Sequence, residues 1–341
     1  MDDVLQIPVI DISEANPKAP QQLLDAARSY GFVFVANNLA GISPGLVDEV
    51  FQLSKDFFAL PTEEKEAVSI SSNKAGKNHG WLSQGVEKLD PATQKRPDVK
   101  EAFNLGLPTP HNSTTYSQPI PPLLQAHIST LSTFQSACHT LCQRLLTHFA
   151  TALSIPPDWF TSRHDISLGG GDATGSIFRL LYYPQQTSHN DEVDIRAGAH
   201  SDYGSITCLF QVPGQPGLEI KTPRGEWAAV PVDPSSGSGA SGSEGGKASL
   251  PILVNVGDLL EDWTGGLLKS TVHRVVFPNE KAGDRYSIAY FCHPLDEALL
   301  EPVPSALVEE HARREGRRNG KEGFTAQDHL MERLAATYSV K

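Results

Sequence analysis

The spacing of apolar residues predicts a first half of the chain that mixes helices with short strands. Apolar positions three or four residues apart predict helices at 23–30, at 44–58 and over a long stretch from 121 to 155. Dense β-type runs at 7–12 and 31–35 predict strands between the helices. Because the long helix carries a continuous apolar face, we expect it to pack against a sheet.

The pattern changes after the three glycines at 169–171. Short, frequently β-branched apolar runs now alternate with turns that are rich in Gly and Pro, which is typical of a β-sandwich or jelly roll. A last amphipathic run predicts a helix at 326–337. The apolar runs lie at 176–183, 205–211, 218–220, 227–232, 252–256, 271–277 and 286–292.

Segment 234–249 interrupts this series with a sequence of mostly Ser and Gly. Such a segment cannot bury enough apolar surface to offset the entropy that ordering would remove. We therefore expect a flexible surface insertion between two strands.

Together these elements predict a mainly β fold with flanking helices. The jelly-roll core follows an N-terminal α/β region and precedes a C-terminal helix. We expect one compact unit in four parts: the N-terminal α/β region at 1–120, a long packing helix at 121–168, the catalytic core at 169–300 and a C-terminal helical segment at 301–341.

Composition narrows the range of partners. The 341 residues include 28 Lys and Arg against 40 Asp and Glu, which gives a formal net charge of −12. An acidic chain without a basic run lacks the electrostatic footprint of a nucleic-acid binder and the polybasic patch that attracts anionic membranes. We expect a small-molecule substrate and neither nucleic acid, nor membrane, nor an obligate protein partner.

The chain also lacks the sequence features of exported and membrane-spanning proteins. Its first residues contain no basic segment followed by a long apolar run, and no stretch approaches the roughly 18 apolar residues of a bilayer span. The four cysteines, Cys138, Cys142, Cys208 and Cys292, include no CxxC pair, and such sparse use fits a reducing compartment. We expect a cytoplasmic protein.

Two histidines and one aspartate are the strongest candidates for chemistry. In His200-Ser201-Asp202 the two possible ligands alternate, and alternate residues of a strand point to the same face. His273 lies in a β-type run and can arrive from another strand. Two imidazoles and one carboxylate are the ligand set of a non-haem iron(II) site, which leaves positions for a cosubstrate and O₂.

A second His-x-Asp pattern, His189 and Asp191, lies nearby in a polar stretch with no apolar run directly after it. A surface histidine beside an aspartate is the better interpretation of that pair. His200 and Asp202 instead lead directly into the apolar run at 205–211. This context favours them as the metal ligands.

Arg285 and Ser287 form a second candidate site. They are two positions apart in a β-type run and would share one strand face. A lone arginine is more commonly a surface residue, but the apolar residues at 288–291 favour a pair that faces inward. Because a buried guanidinium needs an anion, a carboxylic acid bound beside the metal would satisfy it.

These candidates belong to a series of motifs that runs along nearly the whole chain. The motifs are Ile7-Pro8-Val9-Ile10-Asp11, Gly31-Phe32-Val33-Phe34-Val35, Phe57-Phe58-Ala59-Leu60-Pro61 with Glu63-Glu64-Lys65, Leu181-Tyr182-Tyr183-Pro184, Gly198 to Gly204, Asn255 to Asp258, Ser270 to Val275, and Arg285-Tyr286-Ser287. In this order they resemble the isopenicillin N synthase-like branch of the Fe(II)/2-oxoglutarate-dependent dioxygenases. The order is far more specific than any single motif.

The resemblance implies a double-stranded β-helix core, which is a jelly roll, with helices packed outside it. By motif match it implies that His200, Asp202 and His273 bind Fe(II). The separation between Asp202 and His273 is longer than is usual in the family. The insertion at 234–249 accounts for most of the excess.

The same resemblance implies a site for 2-oxoglutarate. Arg285 and Ser287 would hold the distal carboxylate of this cosubstrate, and Tyr183 would assist them. The family usually has Asn where this chain has Leu181, so one polar contact to the cosubstrate is expected to be missing.

The implied activity is oxidation of a small organic molecule in secondary metabolism. The enzyme would use 2-oxoglutarate and O₂, with ascorbate in support, and would release succinate and CO₂ while an iron(IV)-oxo species abstracts hydrogen. Hydroxylation, desaturation and cyclisation are all open outcomes. A 2-oxoglutarate-independent iron oxidase of the isopenicillin N synthase type and a non-catalytic metal- or ligand-binding barrel remain as alternatives.

Substrate contacts follow less directly from the motifs. Phe291 is similar in position to a family residue that stacks on substrate, with simple core packing as the alternative. Arg179 and His293 are candidates for the same pocket. Phe103 and Trp81, from the N-terminal region, complete the set.

Overall fold

Two β-sheets with helices packed against them form the protein. The computed structural model describes residues 6–37, 41–72, 78–90, 93–109, 113–186, 194–235, 250–279 and 281–338. Within these ranges the chain forms twelve strands and eight α-helices.

The strands are β1 (Val9–Ile10), β2 (Phe32–Val35), β3 (Gly80–Leu82), β4 (Glu101–Leu105), β5 (Ile177–Tyr183), β6 (Ala197–His200), β7 (Ile206–Gln211), β8 (Leu218–Lys221), β9 (Trp227–Ala229), β10 (Ile252–Val256), β11 (His273–Val275) and β12 (Arg285–Cys292). The helices are α1 (Ala19–Ser29), α2 (Pro44–Phe58), α3 (Thr62–Glu66), α4 (Pro122–Ala126), α5 (Ile128–Ala152), α6 (Asp258–Trp263), α7 (Ala306–Glu315) and α8 (Ala326–Tyr338).

The large sheet has eight strands in the order β1-β2-β10-β7-β12-β5-β4-β3, and the small sheet has four in the order β6-β11-β8-β9. Neighbouring strands are antiparallel except for the parallel pair of β1 and β2. Non-consecutive strands lie side by side through most of the large sheet, as in a jelly roll. The predicted fold class is confirmed.

Alternation along each strand divides the large sheet into two faces. The outer face packs on the long helix α5, whose Phe134 ring centroid lies 5.5 Å from that of Phe178 and 5.0 Å from that of Phe210. Complete burial of such a side chain stabilises the fold by roughly 1.5–3 kcal/mol relative to exposure. The predicted packing of this helix against a sheet is therefore observed.

The inner face of the large sheet meets the small sheet across a second apolar cluster. Leu181 and Ala289 of the large sheet pack there with Leu218 and Ile220 of the small sheet. Residues on these inner faces therefore point into the space between the sheets. This space holds the candidate site.

Local signals explain where several elements begin and end. Ser43 caps α2, because its hydroxyl accepts a hydrogen bond from the backbone N–H of Leu46 at 3.2 Å, and Pro44 follows as the first helical residue. Pro8 has no N–H to donate, which shortens the strand predicted at 7–12 to Val9–Ile10. The turn after β1 is closed by Asp11, which accepts a hydrogen bond from the backbone N–H of Ser13 at 2.8 Å.

Other boundaries also differ from the predictions. The helix predicted over 121–155 is divided into α4 and α5 at His127, whose backbone leaves the helical region with φ −115° and ψ 21°. Helix α7 was not predicted, because its buried side chains are Val308 and Ala312 and its apolar stripe is too sparse to recognise.

Some predictions fall on residues that the structure does not describe. Residues 236–249 of the expected insertion and the pair His189 and Asp191 lie outside the described ranges. The four-part division of the chain stays a prediction. Within the described ranges, no helix combines the length and the apolar character that crossing a bilayer requires.

Candidate active site

Three polar side chains converge between the two sheets. His200 is the last residue of β6, Asp202 lies in the turn beyond it, and His273 opens β11 directly opposite His200 in the paired strands. The Nε2 atoms of His273 and His200 lie 3.7 and 4.0 Å from Oδ1 of Asp202. The candidate ligand atoms all lie within 4.8 Å of one another, so one ion can contact all three residues.

Hydrogen bonds fix the orientation of both imidazoles. Nδ1 of His200 lies 2.7 Å from the carbonyl oxygen of Gly198, and Nδ1 of His273 lies 3.1 Å from that of Thr271. Because a carbonyl only accepts, each Nδ1 carries the proton and each Nε2 presents a lone pair to the shared centre. This arrangement is typical of histidines that ligate metals.

The Asp202 carboxylate is held by two neutral donors. The Thr207 hydroxyl and the Asn255 side-chain amide both donate to its Oδ2, each at 2.7 Å. The two donors sit opposite each other on β7 and β10, so the register of the large sheet places them together. With Oδ2 saturated, Oδ1 is the oxygen that faces the two imidazoles.

Electrostatics keep His200 and Asp202 in the protonation states that a metal requires. Burial, with the neighbouring His273, lowers the pKa of His200 to about 4, so its ring is neutral at pH 7. Burial alone would raise the pKa of Asp202. The nearby His273 and His200 and the bonds from Asn255 and Thr207 outweigh it and hold that pKa below its ordinary value.

The donor set fits Fe(II). Two neutral imidazole nitrogens and one carboxylate oxygen on the same side of a site form the facial triad of non-haem iron oxygenases, which leaves the opposite positions open. The turn that carries Asp202 is packed tightly, since a Cβ on Gly257 would lie 2.3 Å from the carbonyl oxygen of Gly204. The backbone N–H of Asp258 also donates to the carbonyl oxygen of Asp202 at 2.7 Å.

Arg285 and Ser287 also point into the space between the sheets. Arg285 is only 1% exposed, and it donates to the Ser287 hydroxyl at 3.1 Å and to Oε1 of Gln211 at 3.3 Å. Its guanidinium carbon lies 5.0 Å from the ring centroid of Tyr183, the residue opposite it on β5. The predicted trio of Arg285, Ser287 and Tyr183 is therefore assembled at one place.

The partners that the described part of the chain offers to Arg285 are all uncharged. Among the described residues no carboxylate lies within ion-pair distance of its guanidinium, and its Nε has no hydrogen-bond partner. Burial lowers the pKa of Arg285, yet an arginine remains charged at pH 7. A buried cation without a counter-charge is unfavourable, so the site fits a bound anion such as the carboxylate of 2-oxoglutarate.

A cavity of about 200 Å³ opens beside the triad. Three of the predicted substrate residues, Phe291, Arg179 and His293, line it together with His200 and Asp202. Helix α8 closes one side with apolar side chains that include Leu330 and Leu334.

The other two predicted substrate residues lie on the opposite face of their strands. Phe103 is fully buried with its ring centroid 4.8 Å from that of Phe57, and Trp81 donates from its indole N–H to Glu101 at 3.0 Å. Alternation on β4 turns Asn104, the next residue, toward the cavity instead. Phe103 and Trp81 do not line the described cavity.

Several residues of the site carry no sequence motif of their own. Thr207 and Gln211 were missed, and Asn255, which begins the motif from Asn255 to Asp258, was given no role, although each faces inward on its strand. Glu87 was also missed. Its Oε2 lies 2.5 Å from a terminal nitrogen of Arg179 and 3.1 Å from Nζ of Lys100. Burial alone would raise the pKa of Glu87, but these two cations and their hydrogen bonds lower it.

Comparison with known families agrees with this geometry. Residues 7–123 match the family described as the N-terminal region of a non-haem dioxygenase in morphine synthesis, and residues 174–294 match the 2OG-Fe(II) oxygenase superfamily. A UPF0676 protein of Schizosaccharomyces pombe is 37% identical over 309 residues, which cover 88% of this chain and 85% of that protein. The 2-oxoglutarate-dependent dioxygenase htyE of Aspergillus rugulosus is 28% identical over 84% of each chain.

The fold also matches solved structures of a Neurospora crassa protein. Its full-length complex with alpha-KG and thymine has a TM-score of 0.76 and 31% identity, with 99% of both chains covered. Its complex with alpha-KG and 5-formyluracil has a TM-score of 0.74 and 30% identity, covering 99% of this chain and 98% of that one.

Fold and triad together define a jelly-roll non-haem iron oxygenase. The chain belongs to the 2OG-Fe(II) oxygenase superfamily and is a non-haem Fe(II)/2-oxoglutarate-dependent dioxygenase. The predicted family and cofactors, Fe(II) and 2-oxoglutarate, are confirmed.

Proposed function

We propose that His200, Asp202 and His273 hold the iron of this dioxygenase and that Arg285, with Ser287, anchors 2-oxoglutarate. The observation that carries the proposal is the convergence of three ligand atoms within 4.8 Å beside an uncompensated buried cation. When bound, Fe(II) supplies the oxidation of an unactivated C–H bond with O₂ and 2-oxoglutarate as co-reactants.

The protein's own residues prepare the site for this chemistry. The backbone carbonyls hold Nδ1 of His200 and of His273 as donors, so each ring presents the lone pair of its Nε2 to the metal. Thr207 and Asn255 restrain the Asp202 carboxylate. Outer partners of this kind typically contribute about 10- to 100-fold to metal affinity.

The cavity favours a small, uncharged and partly planar substrate. Phe291 offers a ring face on which a planar group can stack. Arg179 is the only Arg or Lys among the described residues that line the cavity, and Glu87 already pairs with it. Burial, with the neighbouring His329, lowers the pKa of His293 to about 3, so its ring is neutral.

Because the described lining of the cavity has no unpaired cation, it favours some of the molecules named for the relatives over others. Some relatives are named as hydroxylases of proline or homoarginine. Each of these molecules has a carboxylate, which would need an unpaired cation in the cavity. Thymine and 5-formyluracil, bound in the two Neurospora crassa complexes, are uncharged heterocycles. We therefore propose an uncharged heterocycle or lactam as the substrate, to be oxidised in secondary metabolism.

The test is 2-oxoglutarate turnover by the Fe(II)-loaded enzyme with ascorbate, in the presence of thymine, 5-formyluracil, proline or homoarginine. We expect succinate formation that an uncharged heterocycle stimulates and that stops without 2-oxoglutarate. Substrate oxidation that continues without 2-oxoglutarate would support the isopenicillin N synthase-type oxidase instead. Protein that retains no iron would support a non-catalytic barrel.

A variant sharpens the substrate assignment. Phe291→Leu should raise the KM of the stimulating heterocycle about 2- to 12-fold, since a stacked pair contributes about 0.5–1.5 kcal/mol beyond area burial. The Kd of 2-oxoglutarate should stay unchanged. Phe103→Leu, which alters a ring outside the described cavity, is the matched control and should leave both constants unchanged.

The cysteines support a reducing, cytoplasmic location. All four are buried free thiols, and Sγ of Cys142 lies 3.6 Å from Sγ of Cys208 without a disulfide. Disulfides persist in oxidising compartments and are rare in the cytosol. Fractionation of cells that express the protein would test this location.

A further inference from the structure

Arg196 is a second fully buried cation between the sheets, and nothing in the sequence motifs marks it. Its side chain is 1% exposed, although arginine is rarely buried without a charged partner. It stands four residues before the iron ligand His200, immediately before β6. A β-bulge interrupts the pairing of β6 with β11 between Ala197 and His200, so the contacts of Arg196, not strand alternation, define where its side chain lies.

Two contacts place the Arg196 guanidinium close to Arg285. One terminal nitrogen of Arg196 donates to the carbonyl oxygen of Gly283, which is two residues before Arg285. The guanidinium carbon also lies 4.7 Å from the ring centroid of Phe277, much as Arg285 lies against Tyr183. Two arginines, one from each sheet, therefore approach the same end of the barrel, each stacked on an aromatic ring.

None of the described residues provides Arg196 with an anionic partner. Its hydrogen-bond partner is a neutral carbonyl, its Nε has no partner, and no described carboxylate lies within ion-pair distance. Asp284, the residue between Gly283 and Arg285, is exposed and accepts bonds from the backbone N–H of Gln185 at 2.7 Å and from the Tyr182 hydroxyl at 3.3 Å. Asp194, two residues before Arg196, pairs with Arg96.

Electrostatics agree with this geometry. Burial lowers the pKa of Arg196 to about 10, the charge of Arg285 acts in the same direction, and Tyr183 and Asp284 offset only part of this lowering. Both guanidiniums still carry their charge at pH 7. Two buried like charges repel each other unless an anion lies between them or against them both.

We infer that Arg196 is a second cation of the 2-oxoglutarate site, acting with Arg285 on the distal carboxylate of the cosubstrate. The inference rests on the proposed assignment of that site to Arg285. A carboxylate has two oxygens and about four acceptor positions, so it can take donors from both arginines and from Ser287. Leu181 cannot make the polar contact to 2-oxoglutarate that is usual in the family. The positive charge of Arg196 would compensate for that missing contact.

The experiment measures equilibrium binding, by anaerobic calorimetry on the Fe(II)-loaded enzyme. The probes are 2-oxoglutarate and 2-oxopentanoate, which has the same chain length but lacks the distal carboxylate. Wild-type protein should bind 2-oxoglutarate more tightly. Arg196→Met should weaken 2-oxoglutarate by about 10- to 100-fold and leave 2-oxopentanoate within about twofold, as expected for one charged hydrogen bond.

Two variants complete the design. Arg196→Lys keeps the charge and should recover at least part of the discrimination between the probes, which guards against a fold defect in Arg196→Met. Arg274→Met, at a paired surface arginine, is the matched control and should bind both probes like wild type.

The outcomes separate the inference from the proposal on which it rests. If Arg196→Met weakened the binding of both probes equally, or of neither, the role of Arg196 in binding 2-oxoglutarate would be overturned. Arg196 would then have only a structural role. Wild-type protein that binds the two probes equally would instead overturn the proposed 2-oxoglutarate site.

Discussion

The two faces of the large sheet differ in role, since the same strands contribute to an apolar core on one face and to the candidate site on the other. On β12, Ile288 and Tyr290 point outward into the apolar layer beneath α5, whereas Arg285 and Ser287 point inward beside the candidate iron site. The outer face is a packed core with little chemistry. The inner face contains polar and charged groups that are buried because other groups, or a ligand, compensate them.

This difference means that substitutions on the two faces should fail in different ways. An outer-face change removes packing, so it should lower stability and leave ligand affinities intact. An inner-face change removes a ligand contact, so it should lower an affinity and leave the fold intact. Single substitutions on each face, from the largest expected effect to the smallest, can therefore test this separation.

Loss of a proposed iron ligand should have the largest effect. Asp202→Ala removes the carboxylate on which both imidazoles converge, so iron affinity should fall by more than the roughly 100-fold that loss of an outer partner can cost, and turnover with it. Metal analysis after anaerobic loading checks this. Asp158→Ala, at an exposed aspartate, should bind one equivalent of iron. Full iron loading in Asp202→Ala would contradict the ligand assignment.

A substitution on the outer face of the large sheet should lower the free energy of unfolding. Phe178→Ala removes a fully buried ring that contacts Phe134, which should lower the free energy of unfolding by about 3–5 kcal/mol. Urea denaturation measures the change, and calorimetry should find the Kd of 2-oxoglutarate unaltered in the folded variant. Leu168→Ala, at a side chain that is 72% exposed, should change stability by less than about 0.5 kcal/mol. A Phe178→Ala protein of normal stability but weakened cosubstrate binding would reverse the proposed division.

Substitution of a residue that hydrogen-bonds to a proposed metal ligand should have an intermediate effect. Thr207→Val is nearly isosteric and removes one of the two hydrogen bonds to Oδ2 of Asp202, so iron affinity should drop about 10- to 100-fold. Competition with a chelator gives the affinity. Thr222→Val, at a loop threonine outside the site, should behave like wild type. An unchanged iron affinity in Thr207→Val would show that the Asn255 bond suffices.

The smallest effect concerns pH. Burial lowers the pKa of His164 below its ordinary value, so the folded protein keeps this ring neutral while the unfolded chain binds a proton below pH ~6.5. Stability should therefore fall as pH drops below this value, by at most about 1.4 kcal/mol per pH unit from this group. Denaturation of iron-free protein at pH 7.5 and 5.5 should show a shallower loss in His164→Gln. Identical losses in both proteins would exclude this contribution.

The predictability of the site follows the same division between faces. His200, Asp202 and His273 could be found because their residue types, spacing and β-type surroundings are all unusual together. Phe103 and Trp81 were chosen as aromatic residues without knowing the register of their strands. An error of one position moves a residue to the other face, and Asn104 is the residue that β4 turns toward the cavity.

Other parts of the site depend on pairing between distant segments. Asn255 and Thr207 meet at Asp202 only because β10 and β7 pair in one particular register. Arg196 becomes notable only when its burial and its neutral partners are known. The division of the long helix at His127 depends on backbone angles that apolar spacing does not report.

The most direct test of the central assignment is a titration of the anaerobic Fe(II)-loaded enzyme with 2-oxoglutarate, followed by visible absorption. We predict that the protein binds one equivalent of iron and develops an absorption band that saturates with cosubstrate. Arg285→Met should shift this saturation to much higher concentrations. Loaded wild-type enzyme that develops no such band, or an Arg285→Met titration that matches wild type, would contradict the assignment of the inner face to iron and 2-oxoglutarate.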